Sequence, residues 1–151
     1  MRKTSQGSCH RGAARFECDL DLPPPGQRSE PRRLGVWWTS TFRCNCSFRF
    51  KMRFWKASAT PDDFRLTEGC DSLCDYQFGH RAIHHFFCRH WGGFPFASAS
   101  FDLMGGDFHA INIASLDDAS PDELAQAPII CEHGRNDARD KAPGRTTYLS
   151  D

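Results

Sequence analysis

The sequence has no excess of charge of either sign, because 19 Lys and Arg residues balance 19 Asp and Glu residues. A neutral chain has no overall field that attracts nucleic acid, an anionic membrane surface or an acidic substrate. No apolar run approaches the roughly 18 residues of a membrane-spanning helix. The basic N-terminal residues are not followed by the apolar stretch of a secretory signal. We therefore expect a soluble cytoplasmic protein with no membrane partner, and nucleic acid is not favoured.

Several common functional signatures are also missing. The chain has no G-x-S-x-G, H-E-x-x-H, P-loop or dinucleotide-binding glycine motif, so hydrolase and nucleotide-binding functions have no support. No internal repeat is visible. At 151 residues, with 13 Phe and 4 Trp, the chain has the length and the apolar content for one domain with its own core.

Cysteine, by contrast, is plentiful. Disulfides are not expected without a secretory signal, so metal ligands or free thiols are the leading interpretations. The eight residues are Cys9, Cys18, Cys44, Cys46, Cys70, Cys74, Cys88 and Cys131.

Short alternating segments predict an all-β (mostly β) fold. Apolar residues alternate with charged ones from Ala14 to Leu20, which is typical of a half-buried strand. Glycines at positions 79, 92 and 93 separate further candidate strands. These additional strands are predicted at 72–78, 82–88, 94–100 and 108–116. Short strands at this spacing indicate small antiparallel sheets packed as a sandwich.

Helix signals are few. Ser120, Pro121 and Glu123 form a capping-box pattern and predict one short helix over 120–127. Thr60 and Pro61 predict at most a turn or two of helix. The proline-rich stretch 23–40 is expected to be a long exposed insertion, and residues 131–151 a polar tail. We thus predict one domain over 3–130.

Three small groups of cysteine and histidine carry the possible chemistry. Cys44 and Cys46 form a C-x-C pair that a turn can direct at one zinc ion, and Cys9-His10 and Cys88-x-His90 are further groups. Plain buried thiols and surface imidazoles explain the same spacings. His84 and His85 share a predicted strand and point to opposite faces, so one should be packed and one solvated.

The stretch from Arg43 to Lys56 is aromatic and basic. In a neutral chain it is most simply a core strand with a charged outer face. The alternative is a surface on which the bases of single-stranded nucleic acid stack.

Six segments in order resemble the glutathione-dependent formaldehyde-activating and centromere-protein-V family, from about Lys3 to Pro128. They are Gly7-Ser8-Cys9-His10-x-Gly-Ala-x-Arg15-Phe16, Cys44-Asn45-Cys46-Ser47, Asp75-Tyr76-Gln77-Phe78-Gly79, His84-His85-x-Phe87-Cys88, Pro95-Phe96 and Ile111-Asn112-x-Ala114-x-Leu116-Asp117. The resemblance implies small β-sheets that enclose two zinc sites, a structural one with four cysteines and a catalytic one with three. It also implies carbon-sulfur lyase-type chemistry, which joins formaldehyde to glutathione as co-substrate.

Carried over by position, Cys9 and Cys88 would bind the structural zinc, and Cys44 and Cys46 the catalytic one. Their partners are replaced by Arg11, Arg49 and Trp91, and Ser115 stands where a further cysteine is frequent. A guanidinium is always charged and cannot coordinate zinc. His10 or His90 would have to replace the missing ligands, and the remaining cysteines are expected to be free thiols.

Two expectations about function follow from this resemblance. The first is a lyase-type enzyme acting on glutathione and a small aldehyde at a zinc held by Cys44 and Cys46. The second is a degenerate, metal-poor relative that keeps the fold and serves as a non-catalytic binding module. A nucleic-acid adaptor, suggested by the Arg43 to Lys56 stretch and the family's centromeric branch, ranks last.

Overall fold

The structure is a computed structural model, and it describes residues 2–22, 36–138 and 141–149. Strands in these ranges are β1 (Arg2–Ser8), β2 (Arg15–Asp21), β3 (Thr41–Cys44), β4 (Trp55–Ala59), β5 (Phe64–Glu68), β6 (Leu73–Tyr76), β7 (Ile83–Cys88), β8 (Phe96–Phe101), β9 (Gly106–Asn112) and β10 (Ile129–Glu132). The helices are α1 (Val36–Thr39), α2 (Ser47–Met52) and α3 (Pro121–Gln126). None of them is long or apolar enough to cross a membrane.

The described strands form two sheets. The smaller has the order β1-β2-β5 and the larger the order β10-β3-β4-β9-β8-β7-β6. Neighbouring strands are antiparallel, except that β10 runs parallel to β3. The predicted mostly-β fold is thus confirmed, with short helices at its edges.

Both faces of the larger sheet are covered. Phe16 and Leu20, on alternate positions of β2, pack with Phe96 and Ile111 of the larger sheet in one apolar cluster. Ala97, the neighbour of Phe96 on β8, faces the other way into a second cluster with Phe54, Phe108 and Ala110, as the alternation of side chains along a strand requires. This second face leads to the site described below.

The strands predicted near 14–20, 72–78, 82–88 and 94–100 are confirmed as β2, β6, β7 and β8. The segment 108–116 is a strand only as far as Asn112, whose side chain accepts a hydrogen bond from the Ala114 amide and starts a turn. The predicted helix is present as α3, with both hydrogen bonds of its capping box. His84 is exposed and His85 is buried, as expected of adjacent strand residues.

The prediction of one core strand between Arg43 and Lys56 is wrong. The chain forms β3, turns into α2 and returns as β4. Cys46 caps the start of α2, where its sulfur accepts from the Arg49 amide, and Arg53 caps the end of the helix in the left-handed region (φ 50). Hydrophobic and basic residues in this stretch occur at spacings that fit a helix as well as a strand. The local turn determines which of the two forms.

The two irregular segments differ in how much the structure describes. Residues 23–35 of the predicted insertion lie outside the described residues, and 36–39 form α1. Of the predicted tail, β10 extends the larger sheet and Glu132 is buried. Leu149 is buried too, and its carbonyl accepts a hydrogen bond from Arg43 Nη1 at 2.8 Å.

Candidate functional site: a thiol pair beside an aromatic pocket

Cys44 and Cys46 lie at the corner between β3 and α2. The Cys46 amide donates to Cys44 Sγ at 3.4 Å, and the Arg49 amide donates to Cys46 Sγ at 3.5 Å. The tight turn therefore directs both sulfurs to the same side of the corner. Cys44 is buried, whereas Cys46 is partly exposed and lines a pocket.

A hydrogen bond links the two thiols. A hydrogen bond from the Cys46 thiol, helped by the nearby Arg49 guanidinium, lowers the pKa of Cys44. The same hydrogen bond, with burial, raises the pKa of Cys46. The two thiols therefore titrate as a coupled pair, and their hydrogen bond favours ionisation of one of the two.

Asn45 and Gly134 fix this corner against the segment that follows β10. Asn45 Nδ2 donates to His133 Nδ1 at 2.7 Å, and its Oδ1 accepts from the Arg135 amide at 3.0 Å. Gly134 lies so close that a Cβ at this position would overlap Cys44 Sγ and lie 3.1 Å from Cys46 Cβ. Only glycine lets the backbone approach the thiols in this way.

Three buried charged groups lie next to the thiol pair. Lys56 Nζ is 3.1 Å from Glu132 Oε1 and 3.0 Å from Oε2. Arg49 Nη1 is 3.7 Å from Glu132 Oε2. Burial lowers the pKa of Lys56 to about 8, against the opposing attraction of the Glu132 carboxylate.

A pocket of about 660 Å³ opens above these groups, a size typical of sites for small organic ligands. Its walls are mainly aromatic and aliphatic, and its floor contains Arg49, Lys56 and Glu132 together with Cys46. The apolar lining is formed by Trp37, Phe48, Phe78, Ala82, Ile83, Phe101, Leu103, Met104 and Phe108.

His85 lies among the rings on one side of this pocket. Its ring centroid is 4.1 Å from that of Phe48 and 5.4 Å from that of Phe78. Its Nδ1 donates to the Tyr76 carbonyl at 3.1 Å, which leaves Nε2 as the proton acceptor of the neutral ring. Burial lowers the pKa of His85, so the ring is neutral at neutral pH.

Cys9 and Cys88 form a second thiol pair, joined by a hydrogen bond and buried with Ala14. The structure thus pairs the four cysteines as the resemblance implied, while their roles as zinc ligands remain predictions. The other four cysteines are free thiols in the structure. Cys18 is buried in the core, Cys70 is exposed, and Cys74 and Cys131 are partly buried.

The structure does not support His10 and His90 as replacement ligands. The His10 ring packs on Trp91 with centroids 5.2 Å apart, and His90 Nε2 is 3.5 Å from Ser72 Oγ. Within the described ranges, no three His, Cys, Asp or Glu side chains come together as a metal-binding group. Two thiols per site are half of a tetrahedral shell, and Arg49 adds a positive charge beside Cys44 and Cys46. These donors do not fit a resident zinc ion.

No sequence pattern pointed to Lys56 and Glu132 as a pair. The two residues are 76 positions apart, and Glu132 falls in a stretch that the sequence analysis assigned to a polar tail. Arg49 was noted only as a missing ligand, although it is buried and lines the pocket. A strand pairing between β10 and β3 brings these groups together, and single-sequence patterns do not specify such a pairing.

The fold and the site define a mostly β protein with an aromatic pocket lined by Cys46, one of two neighbouring thiols. A solved protein of Rhodobacter sphaeroides, a structural genomics target, is similar to this chain at 28% identity with a TM-score of 0.61. The similarity covers 83% of this chain and 99% of that chain. No family model and no curated protein matches the sequence.

Proposed function

We propose that this chain carries out carbon-sulfur lyase-type chemistry, the reversible joining of a glutathione-type thiol to a small aldehyde, in the pocket beside Cys46. The observation that carries the proposal is a pocket of about 660 Å³ whose lining brings Cys46, His85 and Lys56 together. The pocket is large enough for a tripeptide thiol together with a one-carbon aldehyde. Arg135, another cation in its lining, suits a carboxylate of glutathione.

The reaction needs no electron donor or acceptor. The substrate sulfur forms a bond to the carbonyl carbon, the π bond of the carbonyl breaks, and the thiol proton ends on the new hydroxyl group. Neutral His85 is the group that takes the thiol proton in this proposal, because its Nε2 is the free acceptor of the ring. Lys56 stabilises the developing alkoxide as a buried cation.

A zinc ion would supply the Lewis acid in the related family chemistry, and Cys44 and Cys46 are the residues that the resemblance assigns to it. Since the described donors do not fit a resident zinc ion, no step of the proposed reaction uses zinc. Elemental analysis of the purified protein tests directly whether zinc is bound. About one zinc per chain would overturn our interpretation of the donor set.

The decisive experiment measures how fast purified protein interconverts glutathione, formaldehyde and S-hydroxymethylglutathione, by exchange NMR. We expect a rate above the uncatalysed reaction that falls by about 10²-fold or more in His85→Gln, in line with loss of a general base. Lys51→Gln removes a charge from the exposed face of α2 and should keep the full rate. Exchange at the uncatalysed rate would sink the enzymatic proposal.

A second candidate is the metal-poor binding module, and the burial of Arg49 favours it. A guanidinium that is 5% exposed now stands at the position of a family zinc ligand, so the site is arranged around a different cation. This candidate predicts that glutathione or its adduct binds without any increase in exchange rate. Titration calorimetry with glutathione, run beside the exchange measurement, separates the two candidates.

A further inference from the structure

The charges on the pocket floor do not balance within the pocket. Arg49, Lys56 and Glu132 are all at least nine-tenths buried, with side-chain exposures of 5%, 7% and 1%. Two cations thus share one carboxylate on the floor. Arg135 and Asp137, which also line the pocket, add one charge of each sign and leave the excess of one cation. Cys44 lines a separate small cavity with Arg49 and does not line this pocket.

Hydrogen bonding on the floor is equally uneven. Lys56 Nζ contacts both oxygens of Glu132, at 3.1 and 3.0 Å. Arg49 Nη1, by contrast, is buried and has no hydrogen-bond acceptor among the residues that the structure describes. Its separation of 3.7 Å from Glu132 Oε2 is beyond hydrogen-bond length. Buried donors in native proteins are almost always paired, so this guanidinium has capacity for one more acceptor.

The walls above the floor specify the rest of the ligand. Phe48 and Phe108 belong to the aromatic and aliphatic part of the lining, which forms most of its surface. Phe48 is also held edge-on to Phe94, with ring centroids 5.1 Å apart. Such walls favour an aromatic or aliphatic body through burial of apolar surface.

We propose that Arg49 and Lys56 form a carboxylate-binding subsite at the floor of the aromatic pocket, and that the ligand is a small carboxylate with an aromatic body. Guanidinium and carboxylate match in geometry through paired N-H donors. The added negative charge offsets the excess cation on the floor. This inference goes beyond the proposed function, since it concerns binding alone and does not depend on any thiol or aldehyde step.

The test compares 3-phenylpropionate with 3-phenylpropionamide, two probes of nearly equal shape that differ in charge. Isothermal titration calorimetry of the full chain should give an affinity for the carboxylate roughly 10- to 100-fold above that for the amide, the range of a hydrogen bond to a charged group. Equal affinities, or no binding of either probe, would overturn the subsite. The readout is independent of formaldehyde exchange, so failure of one proposal is distinguishable from failure of the other.

Three variants separate the subsite from general effects of charge. Arg49→Gln should abolish the preference for the carboxylate, and Lys51→Gln, which removes an exposed charge from the same helix, should retain it. Glu132→Gln removes the carboxylate that competes with the ligand, so it should increase the affinity for the carboxylate probe. A purely structural role of Arg49 and Lys56 would not produce this increase. Circular dichroism checks folding, and if Arg49→Gln does not fold, the comparison of probes on the unmodified chain and on Glu132→Gln decides. A preference that persists in folded Arg49→Gln would also overturn the proposal.

Discussion

The His10 imidazole and the Trp91 indole lie with ring centroids 5.2 Å apart, and this contact joins the two turns that carry Cys9 and Cys88. One turn is closed by a hydrogen bond from the Gly12 amide to the Cys9 carbonyl at 2.7 Å. The turn after Cys88 is closed in the same way, by the Gly92 amide. Structural zinc sites take pairs of ligands from two such turns, and here each turn carries one cysteine.

The first prediction adds a second cysteine to each of these turns. Arg11→Cys combined with Trp91→Cys should give four thiols on the two facing turns, and the purified variant should bind about one zinc per chain. Both replaced residues are exposed, so the change costs little packing. Elemental analysis measures the metal, and thermal unfolding with and without chelator measures its contribution to stability.

Arg11→Ser combined with Trp91→Ser is the matched control. It removes the same two side chains and adds hydroxyl groups in place of thiols, so it should bind no zinc. A cysteine variant that stays metal-free under reducing conditions would show that the two turns are not arranged as a zinc site.

The second prediction concerns the close approach of Gly134 to the thiol corner. Gly134→Ala places a methyl group against Cys44 Sγ and Cys46 Cβ. Overpacking of this kind typically costs about 1–3 kcal/mol. Chemical denaturation should therefore show a lower free energy of unfolding than for the unmodified chain.

Gly144→Ala is its control, because a Cβ at Gly144 meets no atom within 4 Å. We expect its stability to stay within about 0.5 kcal/mol of the unmodified chain. Equal stability of the two alanine variants would mean that the backbone at Gly134 has room to move away from the thiols.

Local rules predicted much of the fold. Alternation along β2 places Phe16, Cys18 and Leu20 in the core. The alternation of apolar and charged residues in the sequence is enough to predict this burial. The capping box at Ser120 predicted α3, since the hydrogen bonds involved span three residues. The strand-turn-helix path at Cys46 was not predictable in this way, because it depends on the sulfur of one residue accepting a backbone hydrogen bond.

The pocket depends on contacts that no local pattern encodes. Glu132 meets Lys56 because β10 pairs with β3, and β3 pairs with β4. Spacing and the resemblance together pointed to Cys44 and Cys46. The resemblance indicated Arg49 only as an absent ligand, whereas in the structure its buried guanidinium lies beside Glu132.

The third prediction tests the capping box of α3. Ser120 Oγ accepts from the Glu123 amide at 3.1 Å, and Glu123 Oε2 accepts from the Ser120 amide at 2.8 Å. Ser120→Ala removes the first bond and should lower the free energy of unfolding by about 1 kcal/mol. Ser100→Ala, at an exposed position of β8, should change it by less than about 0.5 kcal/mol. No difference between the two variants in urea denaturation would contradict the prediction.

The fourth prediction concerns the pH dependence of stability that Lys56 produces. Burial lowers its pKa in the folded chain from 10.5 to about 8. Between these two values the unfolded chain binds more protons at this site than the folded chain does, so the free energy of unfolding rises with pH. Below pH 8 lysine is charged in both states, and the cost of burying it is fully present.

The comparison that isolates this effect uses Lys56→Met together with Glu132→Gln, so that no unpaired carboxylate remains in the pocket. From pH 8 to about 10 the unmodified chain should gain stability relative to this double variant, by at most about 3 kcal/mol for the whole shift. Arg49 and the Cys44 thiol remain in both proteins, and their contributions largely cancel. Lys51→Met, at an exposed lysine, should leave the pH profile unchanged. Parallel profiles for the unmodified chain and the double variant would mean that Lys56 keeps an ordinary pKa, and that Glu132 and solvent compensate its charge in full.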